Sequence, residues 1–385
     1  MTANSSAVVM AGIPATNFAL YHRLRFLVGD PTALIELPEG DGVSRTLLLR
    51  DIEMERARKH ARVDRVGCPA DYAPESGLSG DRETATAQAV AELLRRNEIR
   101  TVTVDRSLPY IFAHHIAEVS IGVECDLEMG VLERRSKDEQ EIAWLREAQQ
   151  VTEDSMAMAC EMVARATANA EGLLISDGAP LTSERVRAAV DIFLTERGYA
   201  NPGSIVACGP AGADCHDRGS GEIHTGQPVI IDIFPTNRQT LYNGDCTRTV
   251  VHGDICDRLV EMHRVVVAAK AAAVAATRTG ATGEDVHRAT IGVIEGNGFA
   301  MGLPRADDPL DYCAMTHGTG HGVGLDVHEP PLLDFNGPEL VRGDCLTIEP
   351  GLYSRAIGGV RVEDMVIVED DGCDNFNQLS EGLAW

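Results

Sequence analysis

Residues 228–234, PVIIDIF, form an apolar run with a single acid, Asp232, set inside it. Such a run reads as a buried strand, and burying an ionised carboxylate without a partner is costly. Asp232 therefore has to meet a cation, a hydrogen-bond donor or a metal. Asp245 follows 13 residues later in NGDCTRTV, just ahead of a β-branched run at 247–251. Two strands joined by a turn would bring both acids together. Taken singly, each acid also fits a cap or a turn.

The same tension recurs twice near the C-terminus. LTIEPGLY carries Glu349 and GGVRVEDMVIV carries Glu363, each a glutamate within an apolar, strand-like run. An outward-facing glutamate on an alternating strand explains either one; it is a strained reading for both together with Asp232. Between the two pairs of acids lies THGTGHGVGLDVHEPP, residues 316–331, with His317, His321 and His328 among glycines. Glycine permits close backbone approach, as metal and substrate sites often require. A lone histidine reads as an ordinary polar residue; three within twelve positions point to a site.

Elsewhere the chain alternates. Segments 6–10, 45–49 and 100–104 read as short strands, 85–98 has helical spacing through Ala87, Val90, Ala91 and Leu94, and 69–81 reads as a surface loop. This is the texture of a small α/β domain. At Ser136 the texture changes. Ser136 and Glu139 have capping-box spacing, and a long helix follows with Ile142, Leu145, Ala148 and Val151 on one face. We place the domain boundary there, giving domains 1–133 and 134–385. Further helices are expected at 183–197, 254–278 and 284–295, and strands at 204–208, 228–234, 247–251, 345–348 and 360–368.

A formal charge of −25 opposes nucleic-acid binding. No stretch has the roughly 20 consecutive apolar residues of a membrane span, and the first 15 residues lack the basic start of a secretory signal. Ten cysteines with no C-x-x-C pair are expected as free thiols, placing the chain in a reducing cytoplasm.

The ordered set Asp232, Asp245, His321, Glu349 and Glu363 resembles the ligand set of the M24 pita-bread metallopeptidases, over roughly 136–385. That family includes methionine aminopeptidase, aminopeptidase P and prolidase, alongside the metal-free creatinase. The resemblance implies an α/β fold: an N-terminal creatinase-like α/β domain followed by a pita-bread α/β catalytic domain. It also implies that these five residues hold two divalent metal ions, whose charge would cancel that of four carboxylates. Such an oxygen-rich set suits Mn²⁺, with Co²⁺, Fe²⁺ or Zn²⁺ as alternatives. By the same resemblance His216, in ADCHDRG, lies over the substrate, and His328 stabilises the tetrahedral intermediate. Glu349 shuttles a proton as well as binding metal, and Arg361 is the arginine of proline-specific members. His317 orients a ligand or an arginine, or is simply structural.

The implied function is removal of an N-terminal residue from short peptides with proline in second position, by a cytoplasmic homodimer that binds neither nucleic acid nor membrane. Both aminopeptidase P and prolidase fit. The alternatives are a creatinase-like C–N hydrolase and a metal-dependent hydrolase of a non-peptide substrate. One departure is a slightly long Asp232–Asp245 separation, through IFPTNRQTLYNG, which a longer hairpin turn would absorb.

Overall fold

In the N-terminal part, apolar residues on alternate positions serve two different cores. Val9, Ile35 and Leu48 join one cluster, while their chain neighbours Met10, Leu34, Leu47 and Leu49 join another. Strand side chains alternate between faces, so this pattern requires a sheet covered on both sides. The computed structural model, which describes residues 6–40 and 42–385, contains that sheet. Its six strands run in the order Arg65–Gly67, Gly42–Leu48, Thr32–Glu39, Ser6–Gly12, Thr101–Asp105 and Gly122–Asp126. Helix Arg82–Arg96 starts where the Asp81 carboxylate accepts the Thr84 N–H, and it buries Ala87, Val90 and Leu94 in the first cluster.

Three helices here, Phe18–Leu24, Met54–His60 and Tyr110–Glu118, were not expected from the sequence. The expected loop 69–81 contains a 3₁₀ turn at Pro69–Tyr72. The first five residues of the stretch read for a signal lie outside the described ones.

The chain divides into two units, Met1–Arg134 and Arg135–Trp385. In the second, helix Glu139–Ala164 is closed by a capping box of Asp138 and Glu141, two residues beyond the Ser136–Glu139 pair expected. The displacement has a physical cause. Arg135 pairs with Asp344 and Lys137 with Glu329, both buried, and these ion pairs hold 135–137 out of the helix.

This helix and Ser183–Glu196 pack on a three-stranded antiparallel sheet of Ile205–Cys208, Pro228–Ile233 and Cys246–Val251. A second helix pair, Asp257–Ala276 and Gly283–Gly296, contributes to two further cores. Those cores are shared with a five-stranded sheet built on Gly320–Gly322, Cys345–Ile348 and Asp364–Val368, and a four-stranded sheet containing Gly351–Ser354 and Gly358–Arg361. Among the described residues no helix is long and apolar enough to cross a membrane, and all ten cysteines are free.

The run 360–368, expected as one strand, is two. Gly358–Arg361 pairs with Gly351–Ser354, whereas Asp364–Val368 pairs with Cys345–Ile348 in the other sheet. Residues 362 and 363 cross from one sheet to the other, and Glu363 sits at the crossing. The long 232–245 connection folds back on itself: Thr236–Asn237 pairs with Tyr199–Ala200, and the Gly244 N–H donates to the Pro235 carbonyl. The base of the hairpin keeps its register, with Asp232 opposite Thr247 and Ile233 opposite Cys246.

Candidate metal centre

Backbone hydrogen bonds set Asp245, Glu349 and Glu363 in place, and an irregular strand does so for His321. Asp245 precedes strand Cys246–Val251, where its N–H donates to Gln149 Oε1 at 2.9 Å and its carbonyl accepts from Gln149 Nε2 at 2.7 Å. A Cβ on the preceding Gly244 would lie 2.1 Å from Thr152 Oγ1 and 2.8 Å from the Ala148 carbonyl, so only glycine lets this turn approach the long helix. His321 lies on Gly320–Gly322, where the register shifts between His321 and Gly322. Such irregularities re-aim a side chain at a site. The Glu349 N–H donates to the Thr319 carbonyl at 2.8 Å, and the Glu363 N–H to the Thr247 carbonyl at 3.1 Å.

Together they form a buried cluster. Ligand atoms of Asp245, His321 and Glu363 all lie within 4.8 Å of one another. His321 Nε2 is 3.9 Å from Asp245 Oδ2 and 3.3 Å from Glu349 Oε1. Asp232 Oδ2 accepts from Arg361 Nη2 at 2.6 Å, while its Oδ1 is buried with no hydrogen-bond partner.

The electrostatics show a missing positive charge. Burial, then the neighbouring Glu363, Asp232 and Glu349, push the Asp245 carboxyl well above its ordinary range. Burial and the charges of Glu349 and Asp232 do the same to Glu363. Asp232 is raised by burial, and Arg361 counters only part of it. Glu349 behaves oppositely: against the effect of burial, the His321 hydrogen bond and the nearby His and Arg charges hold it at about 2. Burial lowers the pKa of His321, yet the hydrogen bond and charge of Glu349 leave it raised overall. A proton there stands where the cluster wants a cation.

The residues fit a divalent metal. Three donors converge within ligand distance of one point, one carboxylate oxygen is orphaned, and two acids disfavour ionisation when nothing neutralises them. His321 Nδ1 is 3.1 Å from the Gly322 carbonyl, so Nδ1 carries a hydrogen and Nε2 faces the acids, where it would give up its proton to a metal. This is the usual orientation of a ligating histidine.

Asp232, Asp245, His321, Glu349 and Glu363, with His216, His317, His328 and Arg361, all line one cavity of about 400 Å³. His216 and His328 are exposed on its rim, and the His328 ring meets that of His321 edge-on at 4.2 Å. Partial burial of its ring, and then the charge of His321 beside it, lower the pKa of His328, leaving a neutral ring able to donate one N–H. Arg361 is buried, its Nε 3.2 Å from Thr247 Oγ1 and its Nη1 3.0 Å from Tyr353 Oη. His317 Nδ1 donates to the Gly318 carbonyl at 2.8 Å, and the Tyr353 hydroxyl donates to His317 Nε2 at 2.7 Å. His317 is thus tied through Tyr353 to Arg361.

Three participants escaped the sequence reading: Tyr353, Thr247, which donates to Glu363 Oε2 at 2.7 Å, and Gln149. For Tyr353 a signal existed, a polar tip four residues after Glu349 in an otherwise apolar strand. Gln149 gave none, since it is one of two adjacent glutamines on a helix.

Known proteins share this architecture. Over 349 residues the chain is 26% identical to the Xaa-Pro dipeptidase of Pyrococcus furiosus, covering 89% of this chain and 87% of the relative. Among solved structures, the Xaa-Pro dipeptidase from Bacillus anthracis superposes with a TM-score of 0.78 at 21% identity, over 99% of this chain and 94% of that one. The X-Pro aminopeptidase from Thermotoga maritima gives 0.77 at 20% identity, over 98% and 97%. At such identities the two structures establish the fold: a creatinase-like N-terminal domain and a pita-bread catalytic domain. The profile of metallopeptidase family M24 matches residues 143–370, more than half the chain and every residue of the acid and histidine cluster, and the protein is a member of that family.

Proposed function

We propose that the chain is a dinuclear-metal exopeptidase that releases the N-terminal residue from peptides with proline in second position. The observation that carries this reading is the convergence of Asp245, His321 and Glu363 within 4.8 Å of one another, with Asp232 and Glu349 in the same cavity. Relatives named Xaa-Pro dipeptidase and X-Pro aminopeptidase support the specificity. The retained acids and histidine count against a creatinase-like, metal-free activity.

The five residues would hold two divalent ions, Mn²⁺ in preference because four of five ligands are hard carboxylates. Bound metal supplies Lewis acidity and activates a water as nucleophile. The chain's own groups do the rest. Glu349, kept ionised at neutral pH, is the base that takes up the proton. His328, neutral and on the rim, offers an N–H to the oxygen on which negative charge develops. His216 on the same rim closes over the substrate. Arg361 stays charged while holding Asp232, and through Tyr353 it fixes His317 in the cavity wall.

The bond before proline is a tertiary amide with no N–H to donate and a ring that fixes the backbone. A site that grips the peptide by its N-terminal end and by its carbonyl, without needing that N–H, suits it. Measuring kcat/KM for Ala-Pro-Ala and Ala-Ala-Ala with Mn²⁺ present tests the proposal. The proline peptide should be much the better substrate; equal values would leave the metal chemistry standing and remove the specificity.

A further inference from the structure

Beyond the metal cluster, the cavity wall carries charges that bear on how far a peptide extends past the proline. Strand Glu329–Leu333 pairs with Gly320–Gly322 so that Leu332 lies opposite His321. Directly opposed residues of an antiparallel pair point to the same face, and both line the cavity. Two positions on, about 7 Å along the strand direction, Asp334 returns to that face and also lines the cavity.

Asp334 brings negative charge with it. Its Oδ1 accepts the Phe335 N–H at 2.7 Å and lies 3.3 Å from Nε2 of the buried His287. The other nitrogen of His287 is 2.9 Å from Thr319 Oγ1, and burial lowers the pKa of this imidazole. His287 therefore lies beside Asp334 without giving it a counter-charge. The Asp334 side chain is 44% exposed, and its Oδ2 lies against Gly318, 3.1 Å from where a Cβ would stand.

Positive charge is correspondingly scarce. Among the described residues lining the cavity, Arg361 is the one arginine and there is no lysine. Its nitrogens are committed to Asp232, Tyr353, the Cys215 carbonyl and Thr247. A dipeptide ending in proline puts its carboxylate one residue from the scissile bond. Among these lining residues that carboxylate finds no uncommitted ammonium or guanidinium, and Asp334 lies in the same cavity. In a longer peptide the same position holds a neutral amide.

We infer that the site acts on peptides continuing beyond the proline, and that Asp334 turns away a free carboxylate next to the scissile bond. This rests on the proline reading above, and the test separates the two. Full-length, Mn²⁺-loaded protein is assayed for kcat/KM with Ala-Pro, Ala-Pro amide and Ala-Pro-Ala, at low and high salt. Amide and tripeptide should exceed the free dipeptide by on the order of tenfold or more, as like charges facing each other imply. That ratio should shrink with salt and fall several-fold in Asp334→Asn. A dipeptide cleaved as well as its amide, or a ratio unmoved in Asp334→Asn, overturns the inference. Because the amide comparison needs no variant, a poorly folding Asp334→Asn does not shelter it. Failure of all three proline substrates, with alanine peptides cleaved, would instead overturn the proline reading.

Discussion

Glu363 and Asp364 are neighbours in sequence and both are buried, yet they live in opposite electrostatic surroundings. Asp364 receives Arg248 Nη2 at 2.9 Å, the Lys270 ammonium, and Asn375 Nδ2 at 2.8 Å. Against the effect of burial, Arg248 and then Lys270 hold its carboxyl below the ordinary range. Glu363 faces the other way, toward Asp232, Glu349 and Asp245, with the Thr247 hydroxyl for a donor, and its carboxyl is driven well up. Adjacent residues of an extended chain point to opposite sides, so one crossing strand serves two clusters. Where an acid is structural, the protein supplies its own cations. Around Glu363 and Asp245 the cations are withheld, and the unmet charge marks a place that metal would fill.

The largest effect should come from breaking the balanced cluster. Asp364→Ala leaves Arg248 buried without its acid and Lys270 with Glu381 alone, a loss of about 3–5 kcal/mol in folding stability. Denaturant unfolding of the metal-free chain would measure it. A loss below about 1 kcal/mol, within the range of ordinary substitutions, would show that the two clusters do not differ in the way described.

Next in size, two histidines whose rings touch should separate. His321→Ala should lose metal and activity together. His328→Ala should keep its metal while turnover falls by on the order of 10²–10³. Metal analysis beside steady-state kinetics decides it, and loss of metal from His328→Ala with retention in His321→Ala would reverse the assigned roles.

The smallest effect is in pH dependence. Asp364, with its pKa depressed when folded, contributes stability that is present above its unfolded value of 3.8 and lost as pH falls through the folded value. Asp245 and Glu363 are raised, so in metal-free protein the folded state retains protons the unfolded state releases. Their contribution is greatest at acid pH and declines as pH rises above the ordinary values of 3.8 and 4.5. Melting temperatures in chelator should therefore fall as pH rises above about 4.5. Bound metal or Glu363→Gln should flatten the slope, and parallel curves with and without metal would count against the comparison.

Much of this site was legible because its parts offend local expectation. Asp232 inside PVIIDIF, Glu349 and Glu363 in apolar runs, and three histidines among glycines each announce an unmet requirement. Tyr353 and Gln149 do not, since their roles are defined by partners on other elements. The fold divides in the same way. Long amphipathic helices were visible, while Phe18–Leu24 and Met54–His60, at seven residues each, show too few turns for periodicity to register. The split of 360–368 was invisible because every position suits a strand; only the choice of partner strands, remote in sequence, sets the break at 362–363. The capping box was misplaced by two residues because the ion pairs of Arg135 and Lys137 reach 209 and 192 positions along the chain.

The claim that withheld cations mark a metal centre is tested most directly by loading the stripped protein. Chelator-treated chain is titrated with Mn²⁺ while bound metal and cleavage of Ala-Pro-Ala are followed on the same samples. Stripping should abolish cleavage, and activity should return as two divalent ions bind per chain, while Glu363→Gln binds fewer and stays inactive. Full activity in a preparation shown to be free of metal would contradict the account.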